Sequence, residues 1–391
     1  MRLPVQDFLA AHPLAALRER HGVKHRWSAT RPGVFTLNYD QLEVCDTDPL
    51  SQECRGLILR ATSWPEPGAV DGRDPVGDTE IVALPFARFF NHGTGPCAAV
   101  DMERARFYEK LDGTLCIVHH DRGAWHVATR SVPDADVPID GGDETFRGLF
   151  ERALRECGES CGLATELGQG LDERCTYLFE LTAPENQVVV RYEERSVSLL
   201  GIRDRETGEE YPAETLADLY LICPSHPLSA DVLLSWVGER DPSKHEGLVL
   251  CDDSFRRCKV KSPAYIALAH VRDSVGKSAR RMMELILLGK DDDARPHLPV
   301  YLLPRLDAMK AGLAAFFVRA DAEYARLHHE DRKTFALRIQ AEGAWMGAHM
   351  ARYSGRCADV AGYAQSMKRE GTWPDAFLDL LLAGAGISEA A

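Results

Sequence analysis

The spacing of apolar residues divides the 391-residue chain into a strand-rich part and a helical part. Residues 5–21 carry apolar side chains at helical spacing and predict one amphipathic helix that ends near Gly22. From about residue 33 the pattern changes to short apolar runs bounded by Gly, Pro, Asn and Asp, which is typical of strands. These runs predict strands at 34–40, 56–61, 81–86, 114–120, 125–130, 176–181, 187–192, 196–202, 247–251 and 257–261.

Turns and one further helix are predicted between these strands. Asp121-Arg122-Gly123 lies between two apolar runs and predicts a hairpin. The segment Trp64–Asp78 is rich in Pro, Gly and Asp and predicts a surface loop. Residues 143–167 predict a helix.

After Pro263 the apolar residues recur every three or four positions, as at Met283, Ile286 and Leu287, and the strand-like runs end. We therefore place a domain boundary near residue 272. The predicted fold class is α+β: residues 1–272 form a domain built on antiparallel sheets, and residues 273–391 form an all-helical C-terminal domain.

Composition and charge exclude several classes of protein. Hydrophobic residues make up 45% and charged residues 27% of the chain, which excludes wholesale disorder and collagen-like repeats. The formal net charge of −14 excludes a simple basic nucleic-acid coat, although a local basic groove stays possible. Eleven cysteines without any CxxC pair indicate reduced, mostly buried thiols and not a zinc ribbon.

Targeting and membrane segments are not expected in this sequence. The N-terminus lacks the apolar core of a signal peptide, and no stretch approaches the roughly 20 apolar residues that span a bilayer. We therefore expect a soluble, cytoplasmic protein with no membrane partner.

The candidate chemistry begins in the segment Tyr108–Thr114, which precedes an apolar run. Lys110, Asp112 and Gly113 place an amine nucleophile beside a carboxylate, in a turn where a phosphate has room to approach. Taken alone, the motif is better explained as a hairpin turn with a solvated lysine.

Other charged residues accompany this motif. Arg55 lies upstream, and Glu180 and Glu246 belong to predicted strands. Lys259 and Lys261 alternate in a strand, so that the period of two places both on one face. Each has a structural alternative, since strand carboxylates can face solvent and lysines can protect a sheet edge. Their joint occurrence in this order favours a site for covalent nucleotidyl transfer.

Lysine attacks a phosphorus atom only as the neutral amine, and its ordinary pKa is about 10.4. Burial and neighbouring cations lower the pKa of an amine. We expect Lys259, Lys261 and Arg55 to supply such cations for Lys110, and also to neutralise a triphosphate.

This order of motifs resembles the covalent nucleotidyltransferase superfamily of ATP-dependent RNA ligases, DNA ligases and mRNA capping enzymes, and within it the phage RNA ligase 1 family. The resemblance runs through ECRG (53–56), PFARFFN (85–91), KLDGT (110–114), YLFELTAPENQVVV (177–190), SLLGIRDRETGE (198–209), EGLVL (246–250), KVKSPAYIALAH (259–270) and DRKTFA (331–336). Arg88 and Arg130 depart from the family, because they stand where it has lysines. Arginine keeps the charge but changes the geometry of a phosphate contact.

The resemblance implies ATP as the cofactor, Lys110 as the residue that becomes lysyl-AMP, and Lys259 and Lys261 as further catalytic residues. It also implies a divalent ion, Mg²⁺ or Mn²⁺, held by Asp112, Glu180 and Glu246. A second metal at Asp292 would use the acidic run 291–293, for which a solvated helix end is the favoured explanation. The remaining implied nucleotide-binding residues are Tyr39, Arg55, Arg88, Gly113 and Arg130, with Leu200, Ile202 and Val249 as an adenine slot or, alternatively, as plain core.

The implied function is the joining of RNA 3′-OH and 5′-phosphate ends through lysyl-AMP and RNA-adenylate. The expected partner is a broken tRNA anticodon stem-loop or another structured RNA, with an end-healing kinase or phosphatase acting on the same ends. We expect a monomer whose C-terminal domain recognises the RNA. A basic groove or a set of ordinary surface charges is predicted at Arg256, Arg257, Lys259, Lys261, Lys277, Arg280 and Arg281.

Two alternative functions are open at this point. An ATP-dependent DNA ligase or a capping-type enzyme would continue after residue 263 into the short alternating strands of an OB barrel, which this sequence does not predict. A catalytically inactive relative that only binds RNA would be expected to have lost Lys110 or a carboxylate.

Overall fold

The computed structural model describes residues 1–40, 43–62, 77–139, 144–276, 278–295, 298, 302–342, 345–368 and 373–387, without the side chains of 270–276 and 293. The chain forms two compact units, Met1–Ile266 and Ala267–Ala391. The division lies slightly before the boundary expected near 272. Most of the predicted loop Trp64–Asp78 lies outside the described residues. The assignment of separate functions to the two units stays a prediction.

All described strands belong to the first unit, whereas helices occur in both. The strands are β1 (Val23–Trp27), β2 (Val34–Tyr39), β3 (Arg55–Ala61), β4 (Thr79–Ala83), β5 (Phe90–Asn91), β6 (Arg106–Glu109), β7 (Thr114–Asp121), β8 (Ala124–Thr129), β9 (Cys175–Thr182), β10 (Ser196–Asp204), β11 (Glu210–Tyr211), β12 (Ser225–His226), β13 (Gly247–Cys251) and β14 (Arg257–Lys261). The α-helices are α1 (Pro4–Ala11), α2 (Leu14–His21), α3 (Pro49–Glu53), α4 (Phe146–Cys161), α5 (Leu233–Gly238), α6 (Pro263–Gly276), α7 (Ala279–Leu287), α8 (Asp291–Ala294), α9 (Leu303–Leu327), α10 (Arg332–Ala341), α11 (Met346–Tyr353), α12 (Val360–Ser366) and α13 (Asp375–Gly384).

Three sheets form the framework of the first unit. The first sheet is the antiparallel meander β1-β2-β3-β4, and the second has the order β11-β10-β9-β7-β8. The third sheet has the order β12-β6-β13-β14-β5, in which β14 and β5 pair in parallel and the other neighbours are antiparallel. The predicted α+β fold class, with antiparallel sheets followed by a helical region, is confirmed.

Strand β7 explains why apolar residues are continuous in this part of the sequence. Ile117 packs in one core cluster with Ile58 of β3, whereas Cys116 and Val118 belong to the cluster that includes α4. Because successive strand residues point to opposite faces, both faces of β7 are buried and both must be apolar. The second sheet is therefore covered by the first sheet on one side and by α4 on the other.

The predicted hairpin forms between β7 and β8. Asp121 pairs with Ala124, and the two residues between them, Arg122 and Gly123, have φ values of 48° and 83°. Positive φ at both central residues defines a type I′ turn, whose twist matches that of the flanking strands.

The N-terminal helix is broken where the sequence analysis predicted one continuous helix. Helix α1 ends at Ala11 and α2 begins at Leu14, because Pro13 disfavours helical geometry at His12, which has φ −135° and ψ 149°. Gly22 ends α2 in a left-handed conformation (φ 60°), as expected.

The predicted strand at 187–192 does not form. The backbone N–H groups of Val189 and Val190 donate instead to the carboxylate Oδ2 of Asp112, at 2.7 and 2.8 Å. A side chain distant in sequence therefore takes the donors that a sheet ladder would have used. The predicted helix at 143–167 is shorter than expected, because Gly162 ends α4 in a left-handed conformation (φ 71°).

The second unit has its own apolar core. Met283 of α7, Leu313 of α9 and Leu378 of α13 are almost fully buried in one cluster. Each of them lies three or four residues from other apolar positions of its helix. These positions therefore form an apolar stripe that faces the core. All eleven cysteines of the chain are free thiols, and no described helix has the length and apolar character needed to cross a membrane.

Candidate active site

Strand pairing in the third sheet places three predicted residues next to one another: Lys110, Glu246 and Lys261. Gly247 pairs with Lys261, and its carbonyl accepts a hydrogen bond from the backbone N–H of Lys110 at 2.9 Å. Two residues further on, Val249 lies between Tyr108 and Lys259. Lys110 and Lys261 therefore flank one end of β13, next to Glu246.

Gly247 is required for this close approach. Its φ is +151°, and a Cβ at this position would lie 2.0 Å from the carbonyl oxygen of Val260. Any other residue would force β13 and β14 apart at the point where Lys110 and Lys261 meet.

Glu246 links the two lysines. Its Oε2 lies 2.7 Å from Nζ of Lys110 and its Oε1 lies 2.8 Å from Nζ of Lys261. The Glu246 side chain is only 2% exposed, whereas both lysines retain solvent contact. Since an uncompensated buried charge is strongly unfavourable, the two ammonium groups stabilise this carboxylate.

Glu180 lies in the neighbouring second sheet, beside the turn that contains Gly113. Leu115 of β7 pairs with Glu180 of β9, and the Gly113 N–H donates to Oε1 of Glu180 at 3.1 Å. The pKa of Glu180 is raised to about 7, mainly by burial. The positive charge of Lys110 opposes this shift, and the negative charge of Glu246 adds to it. Gly113 fits because a Cβ there would lie 2.1 Å from the carbonyl oxygen of Leu181.

Asp112 uses both carboxylate oxygens within the protein. Besides the two N–H donors at Val189 and Val190, its Oδ1 accepts a 2.6 Å hydrogen bond from the hydroxyl of Tyr265. The described residues contain no group of three or more His, Cys, Asp or Glu side chains placed to hold a metal ion. Asp112 thus ties the Lys110 turn to two other segments, and the metal-binding role of Asp112, Glu180 and Glu246 stays a prediction.

A cavity of about 330 Å³ lies over these residues. Nine of the predicted site residues line it: Tyr39, Arg55, Lys110, Arg130, Glu180, Leu200, Val249, Lys259 and Lys261. The cavity thus combines apolar walls with several positive charges.

The cations of the cavity show why it favours an anionic ligand. The pKa of Lys259 is lowered to about 8, mainly by burial and also by the charges of Lys110, Lys261 and Arg55. The buried Nη1 of Arg55 has no hydrogen-bond partner among the described residues. A buried donor without an acceptor destabilises the protein. A phosphate oxygen that accepted a hydrogen bond from this atom would therefore bind favourably.

Several cavity residues were not identified from the sequence. The Phe89 ring lies 5.4 Å from the Arg55 guanidinium and 5.7 Å from Nζ of Lys259, and Arg257 lies 3.9 Å over the Phe86 ring. Only weak features of the sequence point to these residues. Phe86 and Phe89 belong to the segment PFARFFN, which is one of the motifs shared with the family. Tyr108 lies two residues before Lys110 and so shares its strand face.

Other predicted residues do not appear among the described residues that line the cavity. Arg88 pairs with Asp46 at 2.6 Å and lies 4.5 Å over the Tyr39 ring. Ile202 is buried in the core of the second sheet, which is the structural alternative weighed for it. Asp292 is exposed in α8 of the second unit, with its carboxylate 3.5 Å from Nζ of Lys310.

The predicted basic cluster is largely neutralised by ion pairs. Arg256 pairs with Asp252 at 2.8 Å, and Arg257 pairs with Glu210 at 2.6 Å. Arg280 and Arg281 pair with the carboxylates of Asp379 and Glu284, each at 2.6 Å. Lys277 lies outside the described residues. Each of these four arginines therefore has a carboxylate partner within its own unit.

Comparison with known proteins identifies the class to which this site belongs. A profile of the RNA ligase family, of the phage RNA ligase 1 type, matches residues 53–265, which is more than half of the chain. The chain belongs to this RNA ligase family. The matched segment includes Arg55, Lys110, Glu180, Glu246 and both cavity lysines.

Individual relatives match at lower identity. The chain is 27% identical over 330 residues to the putative bifunctional polynucleotide kinase/RNA ligase of Autographa californica nuclear polyhedrosis virus, covering 78% of this chain and 44% of that protein. It is 25% identical over 305 residues to an RNA ligase of Rhodothermus phage RM378, covering 61% and 64%. The chain thus spans between about two fifths and two thirds of the length of these relatives.

Solved structures match more loosely. An archaeal ATP-dependent RNA ligase covers 91% of this chain and 83% of its own, with a TM-score of 0.40 and 14% identity. A Naegleria gruberi RNA ligase variant with ATP and Mn covers 42% and 51%, with a TM-score of 0.32 and 18% identity.

Proposed function

We propose that this protein is an ATP-dependent RNA ligase that forms a covalent AMP adduct on Lys110 and joins RNA 3′-OH and 5′-phosphate ends. The observation that carries the proposal is the salt bridge between Lys110 and buried Glu246 at a cavity lined by further cations. Membership of the RNA ligase family supports the same conclusion.

In the proposed first step, Nζ of Lys110 attacks the α-phosphorus of ATP. A P–N bond forms, the bond to the bridging oxygen of the β-phosphate breaks, and pyrophosphate leaves. Glu246, 2.7 Å from Nζ, is placed to accept the proton that the amine must lose. Lys259, Lys261 and Arg55 would hold the phosphates in line and balance their charge.

A divalent ion fits this site as part of a metal–ATP complex. Mg²⁺ keeps several waters and binds through one or two carboxylates together with substrate phosphates. Both oxygens of Asp112 and both of Glu246 already have partners in the protein, whereas only one oxygen of Glu180 is engaged by a residue that the structure describes. We therefore propose Glu180 as the carboxylate that contacts Mg²⁺ or Mn²⁺, with Asp112 and Glu246 acting through the waters of the ion. The ion would neutralise phosphate charge. Asp292 is proposed for a second ion, a role that its substitution would test.

The proposed later steps use the same cavity. AMP passes from Lys110 to the RNA 5′-phosphate, forming a pyrophosphate link and freeing the lysine. The 3′-OH then attacks the phosphorus of that RNA phosphate, so that a phosphodiester forms and AMP leaves. Adenine would lie against Leu200 and Val249, which line the cavity.

The proposed substrate is a broken tRNA anticodon stem-loop or another structured RNA, recognised by the second unit. An end-healing kinase or phosphatase is the proposed partner, because the name of the baculovirus relative combines a polynucleotide kinase with an RNA ligase. We propose that the protein acts as a cytoplasmic monomer. Across the described part of Ala267–Ala391 the elements are helices and not strands, which favours an RNA ligase over an enzyme that continues into an OB barrel.

The direct test is to mix the protein with Mg²⁺ and ATP labelled at the α-phosphate. We expect label to stay on the denatured protein and to pass to added 5′-phosphate RNA. ATP labelled at the γ-phosphate is the matched control and should leave the protein unlabelled. Absence of protein label from α-labelled ATP would disprove the first step and with it the ligase mechanism.

A further inference from the structure

Helix α10 exposes three cationic side chains that have no partner among the described residues. Arg332, Lys333 and Arg338 are exposed, and the helix has no acidic residue. None of the three side chains makes a hydrogen bond or an ion pair with any other residue that the structure describes. We call these three residues the α10 surface.

Several other cations of the second unit are held by ion pairs instead. Arg295, Arg326 and Arg352 each bind a carboxylate, those of Asp307, Glu342 and Asp321, at 2.6 to 2.8 Å. The α10 surface differs from these three arginines, because none of its cations has a carboxylate partner among the described residues.

Helix stability explains Arg338, which lies in the last turn where positive charge is favourable, but it does not explain Arg332 and Lys333. Asp331 caps α10 by accepting a hydrogen bond from the N–H of Thr334 at 2.7 Å, so Arg332 and Lys333 occupy the first turn. Positive charge is unfavourable there, because the helix macrodipole is positive at its N-terminus. Arg332 and Lys333 thus oppose the stability of the helix, which indicates a role outside it. They belong to the segment DRKTFA, which the catalytic cavity does not use.

The orientation of α10 is fixed from its opposite side. Phe335 and Ile339 are fully buried, and the Phe335 ring stacks on Tyr353 with centroids 5.1 Å apart. At about 100° per residue, Lys333 lies near the middle of the exposed arc, and Arg332 and Arg338 lie towards its two borders. The charges therefore face outward on both sides of the helix.

The distribution of charge between the units favours a polyanionic partner for this surface. Residues 267–391 contain 17 Lys and Arg against 16 Asp and Glu, whereas residues 1–266 contain 29 against 44. The second unit is thus nearly neutral and the first strongly acidic. An approaching polyanion is repelled less by the second unit, where unpaired cations project into solvent.

We propose that the α10 surface binds the sugar-phosphate backbone of a duplex RNA stem. This inference rests on the proposed ligase function, since it assigns the place where the structured RNA substrate is held. Cations on both borders of one helix can reach phosphates on both sides of a groove, and duplex RNA is recognised mainly through backbone and shape. A single extended strand would contact one border only.

The test compares two triple variants of the full chain that lose the same charge. The first is Arg332→Gln/Lys333→Gln/Arg338→Gln, in which glutamine preserves helix propensity. The matched control is Arg295→Gln/Arg326→Gln/Arg352→Gln, which removes three cations that carboxylates already neutralise. The probes are a nicked RNA stem-loop and a linear RNA strand of equal length, each titrated at several salt concentrations, with lysyl-AMP formation measured in parallel.

We expect the α10 variant to bind the stem-loop at least about tenfold more weakly, and its slope of log affinity against log salt to fall by about 2 to 3. Binding of the linear strand and lysyl-AMP formation should change much less, and the control variant should resemble the wild type. Equal stem-loop affinity and slope in both triple variants, or no stem-loop binding by the wild type, overturns the inference. Unchanged RNA binding would also favour a protein as the partner of this surface. Failure of the proposed function is a separate outcome, because it appears as absence of lysyl-AMP in the wild type.

Discussion

Lys110 and Glu246, separated by 136 residues in the sequence, form a salt bridge with an Nζ–Oε2 distance of 2.7 Å. The second oxygen of the same carboxylate binds Lys261. A buried carboxylate between two lysines keeps the candidate nucleophile beside a proton acceptor before any nucleotide is bound. The predictions below test this arrangement and the residues that surround it.

Lys110→Ala should abolish lysyl-AMP formation and the joining of 5′-phosphate RNA. It should retain some sealing of a pre-adenylated RNA strand, because that step needs the cavity and not the amine. Gel detection of labelled protein and of joined RNA measures both steps. Lys244→Ala, an exposed lysine in a loop, is the control. Label on the Lys110→Ala protein would place the nucleophile elsewhere.

Asp112→Asn should lower the melting temperature, because an amide cannot accept all the hydrogen bonds from Val189, Val190 and Tyr265. Each buried donor left without an acceptor costs about 1–3 kcal/mol. Tyr265→Phe removes one of the three and should destabilise less. Thermal unfolding of both variants measures this. If Asp112→Asn changed only the metal concentration needed for adenylation, with an unchanged melting temperature, Asp112 would be a metal ligand and not a structural tie.

The raised pKa of Glu180, about 7, makes stability depend on pH in a defined direction. Between about pH 4.3, the ordinary pKa of glutamate, and pH 7, the unfolded chain loses this proton while the folded protein keeps it. The folded state is therefore penalised increasingly as the pH rises, and fully above pH 7. Glu180→Gln stays neutral, so its stability relative to the wild type should rise over this window by on the order of 1–3 kcal/mol. Urea unfolding at several pH values measures the difference, with exposed Glu239→Gln as control; a flat difference would contradict the prediction.

The lowered pKa of Lys259, about 8, predicts that ATP binding weakens as the pH rises through 8. The ammonium that faces the phosphates loses its proton there, so one favourable charge disappears. Lys259→Arg stays charged at every accessible pH, and its ATP affinity should remain nearly constant between pH 7 and 9. Titration calorimetry at several pH values compares the two proteins. Parallel profiles would show that another group controls the pH dependence.

Truncation after Gly276, where α6 ends, should still allow lysyl-AMP formation, because every residue that lines the cavity precedes this point. The rate should fall if Asp292 holds the proposed second ion. The shortened chain should lose its preference for a nicked stem-loop over an unstructured strand, because recognition of folded RNA needs a second surface. The ratio of the two ligation rates, in full-length and truncated protein, measures this. An unchanged ratio would show that the second unit does not select the substrate.

The sequence by itself determined features that depend on local periodicity. Alternation along β14 placed Lys259 and Lys261 on one face, and both line the cavity. The Asp121-Arg122-Gly123 turn and the helical stripe at Met283 and Leu313 also follow from nearest-neighbour geometry, as do most of the strands. The motif order was sufficient to identify the RNA ligase family.

Only the tertiary structure decided which distant groups meet, because a side chain is satisfied by whichever partner the fold brings to it. Asp112 accepts from Val189 and Val190, so the segment 187–192 is not a strand although its composition favours one. Carboxylates distant in sequence neutralise Arg257 and Arg280, which the sequence alone presents as available cations. Hydrogen-bond and charge partners depend on distances across sheets and between helices, and a one-dimensional pattern does not contain those distances.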